Sequence, residues 1–117
     1  MTESDIHYIV DIYIKLESVE KVRAMLLKIV QDSRNQDGCM EYELFENLND
    51  QSNFMFIETW GNEAAFENHS QSDHIQQASL DINSYLAKAT DIKRYKYLKI
   101  PSKQLNTRNK SRFCTLF

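Results

Sequence analysis

The chain begins with a strand pattern followed by a helix pattern. Residues 6–15 alternate between polar and apolar side chains, as a half-buried strand requires. The residues on the apolar side are Tyr8, Val10, Ile12 and Ile14. From Ser18, which is predicted as the N-cap, apolar residues recur at helical spacing up to residue 33. This spacing predicts an amphipathic helix over 18–33.

The middle of the chain predicts a β-hairpin. Residues 40–48 alternate as a second strand, and Gly38 ends the connection that precedes it. Residues 54–60 are apolar on both faces for most of their length. Between the two strands, residues 49–53 are rich in Asn and Asp, which favour turns because their side chains hydrogen-bond to the local backbone.

Two helices and a last strand are predicted after the hairpin. Asn62 is predicted to cap a short helix that residues 70–72 interrupt. The longer helix that follows carries an apolar stripe made of Ile75, Ala78, Ile82, Tyr85 and Leu86. Residues 92–100 form the last predicted strand. The order of elements predicts an α+β fold of the ferredoxin-like, split βαβ type.

A ferredoxin-like fold covers only one face of its sheet with helices. Strand 54–60 is nevertheless apolar on both faces, and the first strand offers Ile9 and Tyr13 on its second face. An apolar sheet face must be covered, and no predicted helix remains to cover this second face. A second copy of the chain would cover it. The pattern therefore predicts a homodimer that packs sheet to sheet.

The composition is that of an ordinary globular protein. The chain has 117 residues, 42% of them hydrophobic and 26% charged, which fits one domain. No apolar run reaches the roughly 20 residues that cross a bilayer. The polar start, residues 1–5, does not have the pattern of a secretory signal peptide. Two cysteines, Cys39 and Cys114, do not make a disulfide scaffold, so we expect a soluble, cytoplasmic protein.

Charge divides the chain into a predicted domain, 1–102, and a basic C-terminal tail, 103–117. The net charge is −3, although the tail carries basic residues and no acid. An acidic body argues against nucleic acid as a partner. The last four residues, Cys114 to Phe117, have the C-a-a-X form. Cys114 is thus a candidate lipidation site that would tether the protein to a membrane in a eukaryotic host; the alternative is an unmodified basic tail.

An ordered set of short motifs resembles the antibiotic biosynthesis monooxygenase domain. Its members share a P-G-C-like turn, E-x-W, a D/N-E-x-A stretch and H-x4-H. This chain has Asp37-Gly38-Cys39, Glu58-Thr59-Trp60, Asn62-Glu63-Ala64-Ala65-Phe66 and His69-x4-His74. The resemblance extends over residues 6–100. It implies a dimeric α/β barrel with a pocket between each sheet and its own helices.

The resemblance implies several possible activities. Members of the family oxygenate anthrones or quinols without metal or flavin, isomerise a phosphorylated signalling sugar, or degrade haem. The haem-degrading branch needs an Asn, a Trp and a His ligand, where this chain has Val10, His69 and Ser79. The anthrone branch shares Trp60, but its polar Asn, Tyr and Arg correspond here to Phe56, Phe66 and Leu80. The quinol and isomerase branches carry both histidines and fit best.

Three residues are candidate catalytic groups. His69 shares the apolar face of the short helix, and His74 lies at the start of the longer one. A histidine suits proton transfer because its pKa is close to neutral pH. Both histidines can equally be structural residues paired with backbone carbonyls. Glu58 lies in an apolar strand, where a buried carboxylate needs a partner, and it is expected to orient a histidine or the substrate.

Four aromatic residues are expected to bind the substrate: Tyr42, Trp60, Phe66 and Tyr85. Trp60 is also explained as a large core residue. The spacing of His69 and His74 puts them about 140° apart on a continuous helix, so no metal site is predicted. The resulting hypothesis is a monooxygenase without cofactor that acts on O2 and a small quinol. The alternatives are an isomerase of a small phosphorylated sugar and a dimeric ligand-binding module without catalysis.

Overall fold

The computed structural model describes residues 2–102, so the basic tail and Cys114 lie outside the described residues. It contains four strands, three α-helices and one 3-10 turn at Leu16–Ser18. The strands and helices are β1 (Ile6–Tyr13), α1 (Val19–Ser33), β2 (Cys39–Asn47), β3 (Asp50–Trp60), α2 (Glu63–Ser70), α3 (Asp73–Asn83) and β4 (Asp91–Lys96). None of these helices is long and apolar enough to cross a membrane.

The four strands form one antiparallel sheet in the order β2-β3-β1-β4. This order confirms the predicted α+β, ferredoxin-like fold. The register places Val10 of β1 between Phe56 of β3 and Ile92 of β4. In the hairpin, Tyr42 of β2 pairs with Glu58 of β3. Since paired residues share a face, all five of these side chains point to the same side of the sheet.

The helices pack against that side, which we call the covered face. α1 is amphipathic as predicted, and its buried residues are Val19, Val22, Leu26, Ile29, Val30 and Ser33. They pack on alternate residues of β1 and β3, which are at most 9% exposed: Tyr8, Val10, Ile12, Phe54, Phe56 and Trp60. The core therefore follows the two periodicities of the sequence, two in the strands and 3.6 in the helix.

The opposite side of the sheet, which we call the open face, is covered by no helix among residues 2–102. Ile9, Tyr13, Met55 and Ile57 lie on it and are partly exposed. Polar side chains lie among them, in a chain from the Nδ1 of His7 to the Thr59 hydroxyl (3.0 Å) and on to Glu41 (3.2 Å). The buried Nε2 of His7 meets no hydrogen-bond partner within residues 2–102.

Two predicted helix caps have different outcomes. The Asn62 side chain accepts a hydrogen bond from the backbone N–H of Ala65 at 2.9 Å and caps α2, as predicted. Ser18 occupies the N-cap position of α1, as predicted, but its side chain accepts no hydrogen bond from an N–H group of the described chain. The reason is that the turn Leu16–Ser18 leads directly into the helix. Ser18 then has ψ near 1° and lacks the extended geometry of a capping residue.

Three predicted boundaries are also wrong. The hairpin turn is shorter than residues 49–53, because β3 already begins at Asp50. α3 ends at Asn83, since the chain then turns and Leu86 forms a β-bridge with Ile14. β4 ends at Lys96 rather than residue 100, because Lys96 pairs with Ile6, where β1 begins.

Gly38 is required by the packing between β2 and α2. Its φ is +82°, a conformation that glycine adopts at no steric cost. A Cβ at this position would lie 2.5 Å from the Cβ of Ala65, far inside contact distance. Gly38 therefore allows α2 to approach the start of β2 closely, and this approach positions the residues of α2 that face the sheet.

Candidate functional site

A cavity of about 300 Å³ lies between the covered face and the helices. Its walls are mainly apolar, and every strand of the sheet and all three α-helices contribute to them. The apolar lining includes Val10, Ile12, Leu26, Ile29, Phe56, Ile75, Ile82 and Ile92. Polar groups are few: Tyr42, Glu58 and His69, together with Ser70, Ser79, Asn83 and Thr90. An apolar chamber with a few convergent polar groups is the usual form of a small-molecule site.

Glu58 is a buried carboxyl group in the cavity wall. The alternation of β3 turns it to the covered face, where it is 3% exposed. Its Oε1 accepts a hydrogen bond from the indole N–H of Trp60 at 2.9 Å. Burial raises the pKa of Glu58 to about 7, although hydrogen bonds from Trp60 and Tyr42 act in the opposite direction. The carboxyl group therefore changes its protonation state close to neutral pH.

His69 of α2 faces Glu58 and is 4% exposed. Its Nε2 lies 3.7 Å from Oε1 of Glu58, and its Nδ1 lies 2.6 Å from the amide oxygen of Gln36. The imidazole packs on the indole of Trp60, with ring centroids 4.6 Å apart. Burial, assisted by the nearby His74, lowers the pKa of His69 to about 4.

The two shifts have one physical cause, which is that burial disfavours charge on either group. At neutral pH the imidazole of His69 is uncharged, while the carboxyl of Glu58 is close to its midpoint. The sequence suggested a histidine as the group that titrates near neutral pH. In the structure that property belongs to Glu58, and His69 is the neutral imidazole that lies 3.7 Å from it.

The predicted aromatic residues differ in where they lie. Tyr42 and Phe66 line the cavity, and the Phe66 ring stacks on Tyr8 with centroids 3.8 Å apart. Burial and the charge of Glu58 raise the pKa of the Tyr42 hydroxyl, so it stays protonated and can donate a hydrogen bond. Trp60 is 0% exposed and lies behind the cavity wall, where it supports Glu58 and His69. Tyr85 lies beyond the end of α3 and outside the lining.

His74 is close to the site but outside the cavity lining. Its ring centroid lies 6.0 Å from that of His69. Its Nε2 is 3.2 Å from the hydroxyl of Ser33, and its Nδ1 is 3.2 Å from the hydroxyl of Ser72. His74 instead borders a groove between α1 and α3. Both ring nitrogens of His74 are thus within hydrogen-bond distance of serine hydroxyls. This arrangement suits a structural link between the two helices.

Gln36 is a site residue that sequence reasoning missed. It lies in the turn after α1, where the sequence has no periodic pattern that would mark it as a site residue. Its contact with His69 joins residues 33 positions apart and exists only in the folded chain. Within residues 2–102, no group of three or more His, Cys, Asp or Glu side chains is arranged to hold a metal ion.

Comparison with known proteins settles the family. The sequence profile described as antibiotic biosynthesis monooxygenase matches residues 5–79, well over half of the chain. The chain belongs to this family. The matched segment contains Glu58, Trp60, His69 and His74, so it includes the motifs of the site.

Two curated relatives are similar in sequence. A putative monooxygenase of Bacillus subtilis is 34% identical over 56% of this chain and 68% of its own length. An uncharacterised protein of Synechocystis sp. is 30% identical over 74% of this chain. The match spans 58% of that second relative's length, so the relative is considerably longer than the shared domain.

Solved structures of other proteins share the fold. A protein from Pseudomonas aeruginosa is 25% identical, has a TM-score of 0.78, and aligns over 85% of this chain and 99% of its own. An antibiotic biosynthesis monooxygenase from Nitrosomonas europaea, named as putative, has a TM-score of 0.79 at 15% identity, with 84% and 94% of the two chains aligned. These similarities show that the fold described above is shared with known proteins.

Proposed function

We propose that this protein is a monooxygenase without a cofactor that acts on a small quinol or related aromatic compound. The observation that carries the proposal is the buried pair of Glu58 and His69, 3.7 Å apart, in the wall of an apolar cavity. Membership of the antibiotic biosynthesis monooxygenase family supports it, as does the name of the Bacillus subtilis relative.

The proposed reaction begins with proton transfer from the quinol. The carboxylate form of Glu58 accepts a phenolic proton, and its pKa of about 7 suits this task at neutral pH. The resulting anion is electron-rich and passes electrons to O2 in the apolar chamber. A hydroquinone and O2 give a hydroxyquinone and one water, so the substrate supplies all the electrons and no external reductant is needed.

The walls of the cavity suit an uncharged ring. Phe56 and Phe66 offer apolar surface to a flat substrate, and the protonated Tyr42 can donate a hydrogen bond to a substrate oxygen. No Lys or Arg lines the cavity within residues 2–102. The isomerase alternative requires a phosphate-binding site, so the described lining argues against it.

The test is oxygen uptake by purified, metal-free protein with a panel of small hydroquinones. We expect uptake by the wild type and a loss of about a hundredfold or more in Glu58→Gln, because the base is gone. His69→Asn should also lose activity. The matched control is Glu67→Gln, which changes an exposed carboxylate on α2. Absence of uptake with every quinol, or uptake unchanged in Glu58→Gln, rejects the proposal; binding without turnover would indicate a ligand-binding module.

We also propose that the protein is a homodimer in which a second copy covers the open face. Ile9, Met55 and Ile57 form an apolar centre on this face, and polar groups such as Glu41 and His7 lie around it. An apolar centre with a polar rim is typical of an interface between protein chains. The cavity lies on the other face and stays accessible in such a dimer.

A further inference from the structure

Gln36 is held in place by its backbone and by its side chain. Its backbone N–H donates to the carbonyl of Ser33 at 3.1 Å, and its carbonyl accepts from the N–H of Cys39 at 3.2 Å. The oxygen of its side-chain amide lies 2.6 Å from Nδ1 of His69, whereas Nε2 of the same ring lies 3.7 Å from Glu58. The turn after α1 therefore holds an acceptor at one edge of the imidazole.

This contact determines which nitrogen of His69 carries the proton. A neutral imidazole has one N–H group and one lone pair, and the hydrogen bond at one nitrogen fixes the state of the other. The oxygen of Gln36 can only accept, so Nδ1 carries the hydrogen. The lone pair then lies on Nε2, which faces Oε1 of Glu58 at 3.7 Å.

The other neighbours of the ring hold its plane but do not select its tautomer. Trp60 packs on the imidazole at 4.6 Å between centroids, and Tyr42 meets it edge-on at 5.4 Å. The indole N–H of Trp60 is engaged with Glu58 and is not a partner for Nδ1. Without the amide oxygen, the N–H would move to Nε2, where the carboxylate of Glu58 is the available acceptor.

We propose that Gln36 is a positioning residue that holds His69 in the Nδ1–H tautomer, with the Nε2 lone pair directed at the carboxyl group of Glu58. In this arrangement the Nε2 lone pair faces the carboxyl group that has taken a proton from a substrate, and it can stabilise that protonated carboxyl group without itself becoming charged. The catalytic consequence rests on the proposed function, whereas the tautomer is a property of the resting protein. The two claims can therefore fail separately.

The direct test is a two-bond 1H–15N correlation spectrum of the 15N-labelled protein, with His69 assigned by its loss in His69→Asn. We expect Nδ1 to be the protonated nitrogen of His69 in the wild type. Gln36→Met removes the acceptor at similar length and should shift His69 toward the Nε2–H tautomer. Gln36→Glu keeps an acceptor and should retain Nδ1–H. The control is Asn35→Met at the exposed neighbouring position.

Two results would overturn the inference: an Nε2–H tautomer in the wild type, or an Nδ1–H tautomer that persists in Gln36→Met. Where a quinol is turned over, we expect Gln36→Met to lower kcat about tenfold to a hundredfold with little change in KM, and Gln36→Glu to recover part of the loss. Lack of turnover would reject the proposed function and leave the spectrum as an independent test of Gln36.

Discussion

The two faces of the sheet are made by the same strands and differ in what lies over them. On the covered face, Phe54 and Trp60 are at most 1% exposed and pack under the helices. On the open face, Met55 and Ile57 are partly exposed, although they alternate with those core residues along β3. The covered face also contains the cavity, with Glu58 in its wall.

This difference shows that a single chain buries the apolar side chains of the covered face but leaves those of the open face partly exposed. The covered face has enough helix surface to bury its side chains and to enclose a chamber that raises the pKa of Glu58 to about 7. The open face has apolar side chains at its centre and no covering helix within residues 2–102. We therefore expect the covered face to contain the site of function and the open face to form the dimer contact. Four experiments test this difference between the two faces.

The largest expected effect is the loss of a covered-face aromatic side chain. Phe54→Ala empties a site that is 1% exposed and should lower the free energy of unfolding by about 3–5 kcal/mol. Chemical denaturation measures it. Leu80→Ala, at a position 73% exposed on α3, should stay within about 0.5 kcal/mol of the wild type. Equal effects at the two positions would contradict the assignment of the core.

A charged side chain in the centre of the open face should dissociate the proposed dimer. Ile57→Lys would bury an unpaired ammonium group between two sheets and should weaken dimerisation at least about a hundredfold, roughly 2.8 kcal/mol. Light scattering during size-exclusion chromatography gives the mass. The control is Leu48→Lys in the hairpin turn, where the side chain is 99% exposed. A monomeric wild type, or a dimer unaffected by Ile57→Lys, would refute the proposed interface.

Gly38→Ala tests the close approach of α2 to the start of β2. Both the positive φ and the 2.5 Å contact with Ala65 oppose a Cβ there, so we expect a loss of about 1–3 kcal/mol in unfolding free energy. Gly61→Ala is the matched control, because its Cβ would meet the carbonyl oxygen of Gly38 at an ordinary 3.8 Å. If the two variants are equally stable, the packing argument at Gly38 is wrong.

The smallest effect is expected in the wild type, where two pH dependences in the cavity oppose each other. Glu58 has its pKa raised by burial from 4.5 to about 7, so its stabilising contribution is full below pH 4.5 and declines as the pH rises through 7. His69 has its pKa lowered from 6.5 to about 4, so its contribution is full above pH 6.5 and declines as the pH falls through 4. Between these limits the two contributions oppose each other, and the wild type should change little.

Single substitutions expose each contribution. In Glu58→Gln only the imidazole remains, so the unfolding free energy should rise with pH between about 4 and 6.5. In His69→Asn it should fall as the pH rises between about 4.5 and 7. Urea denaturation across this range measures both slopes. Parallel slopes in the two variants would contradict the assigned shifts.

Much of the fold was predictable because its signals are local. The stripe of α1 and the alternation of β1 appear directly in the sequence, and both are confirmed. Glu58 was a candidate because a carboxylate in an apolar strand is unusual. The end of α3 was missed, since Tyr85 and Leu86 continue the helical spacing although the chain leaves the helix to reach Ile14. Gln36 was not predictable, because its partner comes from a distant element and only the tertiary fold brings the two together.

The hydrogen bond between Trp60 and Glu58 gives the protein a built-in optical reporter. The sequence contains one tryptophan, so its fluorescence comes from a single known place. That indole donates its N–H to Glu58 and lies against His69. Emission intensity and colour should therefore respond when Glu58 loses its proton and when an aromatic guest enters the chamber. Candidate substrates can thus be screened by intrinsic fluorescence, without any label and before any product is known.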